Sequence, residues 1–71
     1  MSKFIITSFG YDGGPVFDTK EAARKELAMW KEEDMAACRR KFRMATLKTF
    51  GDSYQVTFGA NLYSAATIRP I

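Results

Sequence analysis

From Tyr54 to Phe58 the chain alternates strictly, Tyr-Gln-Val-Thr-Phe. This is the period-two pattern of a strand with one face on a core. Around it the sequence predicts further strands. Phe42 to Phe50 and Leu62 to Arg69 are rich in β-formers, and the turns Gly51-Asp52 and Gly59-Ala60-Asn61 separate the three segments. Leu62, Ala66 and Ile68 take core positions in the last of them. At the N-terminus, Lys3 to Phe9 places Phe4, Ile6 and Ser8 on one face and Ile5, Thr7 and Phe9 on the other. Apolar groups on both faces predict an inner strand, or one covered by both a helix and a partner. Pro15-Val16-Phe17 reads as a short hairpin arm, with the proline at its start or on an edge.

The periodicity changes at Asp18. From Thr19 to Lys41 there is neither glycine nor proline, and strong helix formers dominate. Asp18 with Glu21 fits a capping box, and Phe17 a hydrophobic staple. Arg39, Arg40 and Lys41 suit the negative end of the helix dipole. The helix is about 30 Å long at 1.5 Å per residue. Its apolar stripe is Ala23, Leu27, Trp30, Ala37 and Cys38, interrupted by Asp34. A sheet of seven-residue strands spans only about 23 Å. The second half of the helix is therefore expected to roll away from the sheet or overhang it, exposing Met35, Ala36 and Arg40. The pattern predicts one compact α+β domain over residues 1–71. One long helix packs on a mainly antiparallel sheet of about four strands, in the order β-(short β)-α-β-β-β.

Composition narrows the functions open to this fold. The chain has 71 residues, a net charge of +3, one cysteine and no histidine. A domain of this size has a small core and often needs added support. An internal disulfide and a Cys/His metal site are both excluded. A homodimer is the support left open. No apolar run reaches the 18–20 or so residues of a membrane span, and no cleavage signal follows the first strand. Cytoplasmic localisation is the expectation.

Catalytic chemistry is poorly supplied. The stretch Gly10-Tyr11-Asp12-Gly13-Gly14 lacks the lysine and hydroxyl of a phosphate-binding loop, and Pro15 removes a donor. It reads as a turn whose Tyr11-Asp12 tip can touch a partner. Cys38 has basic neighbours that would favour a thiolate, yet its place on the apolar stripe predicts burial. Glu32, Glu33 and Asp34 fan round the helix and do not converge. No catalytic residue, cofactor or metal is expected, and the chain reads as a non-enzyme.

Two binding readings remain. The helix overhang and a surplus of Met and Tyr (Met29, Met35, Met44, Tyr11, Tyr54, Tyr63) suit a protein-protein interface. Its contact residues are then Met35, Ala36, Arg39 and Arg40, with Tyr11 and Asp12. The alternative is a small nucleic-acid binder using Arg39, Arg40, Lys41 and Arg43. In size and composition the chain resembles the small accessory proteins common on phages and other mobile elements, a likeness of type that rests on no motif. It implies an interaction module that blocks a surface of a host enzyme or defence protein, with a protein as its partner.

Overall fold

The computed structural model describes residues 3–8 and 14–71. Its elements are β1 (Phe4–Thr7), β2 (Val16–Phe17), α1 (Lys20–Phe42), β3 (Thr46–Phe50), β4 (Ser53–Phe58) and β5 (Asn61–Pro70). All strand pairs are antiparallel, in the order β2-β1-β5-β4-β3. The fold is α+β as the pattern predicts, with five strands where about four are expected, because Val16-Phe17 joins the sheet as an edge.

β5 is the spine. Its C-terminal part, Thr67 to Pro70, pairs with β1, and the stretch Asn61 to Thr67 pairs with β4 on the other side. The sheet is thereby staggered along a ten-residue strand about 33 Å long. The 23-residue helix is about 35 Å long. Helix and spine match in length, and the domain extends 42 Å by 20 Å by 20 Å. The expected overhang is absent for this reason. α1 packs on β1, β4 and β5, and it buries Ala23 near one end and Cys38 near the other.

The core joins those two residues to Ile6, Tyr54, Val56, Ala66 and Ile68. Each aliphatic side chain of Val or Ile size contributes roughly 1.5–3 kcal/mol by leaving water. Leu62 departs from expectation, being 47% exposed. A register shift between Val56 and Thr57 explains this. Val56 faces Ser64 but Thr57 faces Leu62, so the register passes over Tyr63. The bulge turns the following pattern over. Tyr63, in place of Leu62, packs on the aromatic group in which Phe42 stacks on Phe58 at 3.8 Å between ring centroids.

The helix start also shifts by one residue. Thr19, in extended backbone, is the N-cap, and its hydroxyl accepts from the Ala22 amide at 3.1 Å. Asp18 instead meets Lys3 at 3.5 Å. Arg43 closes the helix in the left-handed region with φ 58°, and its amide donates to the Arg39 carbonyl. Gly51 and Gly59, with φ near 60°, open the two-residue loops that join β3 to β4 and β4 to β5. A side chain at either position would meet backbone strain.

Candidate interaction surface

α1 packs on β2, β1, β5 and β4 and leaves β3 largely uncovered. All five residues of β3 are exposed, Thr46 through Phe50. Among the described residues, the strand pairs with β4 along one side only. Phe50 and Ser53 flank a two-residue loop, so they form a hydrogen-bonded pair, and such pairs alternate along an antiparallel ladder. The backbone groups of Thr46, Lys48 and Phe50 therefore face β4. Those of Leu47 and Thr49 face outward. The bond from the Ile68 amide to the Asp52 carbonyl fits the same alternation on the far side of β4.

The two sheet edges differ. β2 is two residues long and follows Pro15, which has no amide hydrogen to offer. Shortness and proline are the usual guards against unwanted pairing. β3 has five residues, no proline and one charge, Lys48. It also carries apolar side chains on both faces. Leu47 shares a face with Val56, its cross-strand partner, and is 37% exposed. Phe50 lies on the opposite face and is 57% exposed, and Met44, just before the strand, is 48% exposed.

Among the described residues, no helix or strand packs on the sheet face opposite α1. Phe50, Ser53, Gln55 and Thr67 line a shallow depression of about 250 Å³ there. The Ser53 and Thr67 hydroxyls bond to each other across the strands. None of the five strands contains an acidic residue. Among the described residues, the acids lie on α1, at Asp18 just before it, and at Asp52.

On the helix side, Asp34 is the polar link between layers. Its carboxylate accepts from the Tyr54 hydroxyl and, at 2.7 Å, from the Ser64 hydroxyl. Burial and this carboxylate push the Tyr54 phenol well above its ordinary range. Asp34 thus anchors the second half of the helix, where the sequence pattern suggests detachment. At the other end, Arg24 and Lys20 meet the Asp52 carboxylate at 2.9 and 3.2 Å, and together they hold its pKa below the usual value.

The structure separates the contact residues named from sequence. Met35 is half-buried and packs against the core, while Ala36, Arg39 and Arg40 are exposed. Met35 faces the sheet because the helix lies along its whole length. Tyr11 and Asp12 lie outside the described residues. Arg39, Arg40, Lys41 and Arg43 are all exposed at the helix C-terminus, with the Lys41 amine 5.5 Å from the centre of the Phe42 ring. Of the Met and Tyr surplus, Tyr54 is buried and Tyr63 half-buried, leaving Met29 and Met44 exposed. Cys38 is fully buried and donates to the Met44 carbonyl at 3.3 Å, which is a packing role. The β3 edge escapes sequence reading because Thr-Leu-Lys-Thr-Phe lacks strict alternation. Only the strand order shows that β3 ends the sheet.

Protein-family models, curated proteins and solved structures were compared with this chain, and none matches it.

Proposed function

We propose that this protein is a small non-enzymatic interaction module that binds a protein partner through the outer edge of β3. The observation that carries this reading is the asymmetry of the sheet. One edge is short and guarded by proline, whereas the other is five residues long and carries exposed Leu47 and Phe50, with exposed Met44 just before it. Such an edge binds an extended strand by main-chain hydrogen bonds, and alternate side chains supply the selectivity. The module acts by occupying a surface, in the manner of a phage-type inhibitor of a host enzyme or defence protein.

The test is capture of partners from lysate after nuclease treatment, comparing the wild type with Thr49→Pro. Proline at 49 removes an outward amide and leaves the ladder to β4 intact. A protein partner held by the wild type and lost by Thr49→Pro supports the reading. A partner held equally by both overturns it.

A second reading, nucleic-acid binding, is favoured by the four exposed cations at the helix C-terminus and by the absence of acids from the strands. It requires affinity that falls steeply with salt. Binding that ignores salt would contradict it.

A further inference from the structure

The three exposed apolar residues at the β3 edge are Met44, Leu47 and Phe50. They are spaced symmetrically, with Leu47 three residues from each of the others. An antiparallel strand pair built from two identical strands has a two-fold axis perpendicular to the sheet. That axis must pass through a residue paired with its own copy. We infer that the β3 edge pairs with β3 of a second copy of this chain, with Leu47 on the axis. The inference rests on the edge reading above and makes a second copy the strand that holds this edge until another protein partner displaces it.

The register follows from which residues meet. With Leu47 opposite Leu47 of the second copy, Met44 faces Phe50 and Phe50 faces Met44. All three exposed apolar groups then find apolar partners, and a methionine beside an aromatic ring is a favourable contact. Lys48 faces Thr46. The outward backbone groups of Leu47 form a hydrogen-bonded pair across the axis. Centring the axis on Lys48 would set two like charges directly opposite each other, which destabilises a strand pair. Centring it on Thr49 would set Leu47 opposite Gly51, which belongs to the turn. Of the three registers, the one centred on Leu47 satisfies both the apolar groups and the charge.

The resulting assembly is a continuous ten-stranded sheet. Both helices lie on the same face, because the two-fold axis preserves it. α1 covers β1, β4 and β5, so the two β3 strands form an uncovered floor between the helices, with the Leu47 pair at its centre.

Two measurements on the intact chain test this. The first is sedimentation of the wild type and of Leu47→Lys over a range of concentrations. The wild type is expected to sediment as a dimer. Leu47→Lys, which keeps its fold because the site is at the surface, is expected to raise the dissociation constant roughly tenfold or more. The second is disulfide formation under mild oxidation in Leu47→Cys, Lys48→Cys and Thr49→Cys, with Cys38 left in its buried position. A hydrogen-bonded pair sets Cα atoms about 5.5 Å apart, within disulfide range. Fastest cross-linking at position 47 supports the register, and fastest at 48 or 49 overturns it. A dimer that survives Leu47→Lys unchanged overturns the interface. A wild type that stays monomeric overturns the second copy as occupant. The edge reading falls only if Thr49→Pro also keeps its captured partner.

Discussion

Asp34 shows how one residue can change the meaning of a pattern. A carboxylate inside an apolar stripe reads as a break, and the sequence alone suggests that the helix turns outward there. The carboxylate instead accepts two hydroxyls, from Tyr54 and Ser64, which come from two different strands. Those partners lie 20 and 30 residues away, so no local pattern reveals them. Thr19 teaches a smaller lesson. Asp18 and Thr19 are both good caps, and the extended backbone of Thr19 together with the pull of Lys3 on Asp18 decides between them. Asp34→Ala leaves the Tyr54 hydroxyl, on a side chain that is almost wholly buried, without its acceptor. It should cost about 1–3 kcal/mol in denaturant unfolding. Combining Asp34→Leu with Tyr54→Phe and Ser64→Ala should recover most of that loss, since the carboxylate and both of its hydroxyl donors then leave together. Wild-type stability in Asp34→Ala would show that the link contributes nothing.

At the scale of elements, the fit between α1 and β5 governs the shape. The helix was legible almost to the residue, because an unbroken run of helix formers between a cap and a basic end is a local signal. The alternating strand β4 was equally legible. β5 was legible as Leu62 to Arg69, one residue short at each end, but its bulge at Tyr63, which turns Leu62 outward, was not. The helix start is clamped to the β3–β4 turn by Arg24 and Lys20 on Asp52. This clamp has a predictable pH dependence. The Asp52 pKa is lowered in the folded protein from an ordinary value of 3.8. Its contribution to stability is therefore complete above that value and is lost as pH falls through the lower, folded one. Asp52→Asn should flatten the acid limb of a stability–pH curve and change little near neutrality beyond a constant offset. An acid limb as steep as that of the wild type would assign the pH dependence to other carboxylates.

For the molecule as a whole, the two sheet edges set the behaviour. The candidate surface was only partly legible in sequence. Ala36, Arg39 and Arg40 are exposed as the helix pattern suggests, but Met35 turns inward because the helix stays on the sheet. The β3 edge became visible only once strand order was known, because edge position is a property of topology. Leu47 and Phe50 look like ordinary core residues until the sheet is seen to end with them. The central claim is that this edge pairs with β3 of a second copy of the chain. The most direct measurement is residue-resolved hydrogen exchange across a range of protein concentrations. The amides of Thr46, Lys48 and Phe50, which face β4, serve as internal controls. Protection of the Leu47 and Thr49 amides that rises with concentration until it approaches that of the controls is the predicted result. Leu47 and Thr49 amides that exchange freely at every concentration, while the controls stay protected, would contradict the account.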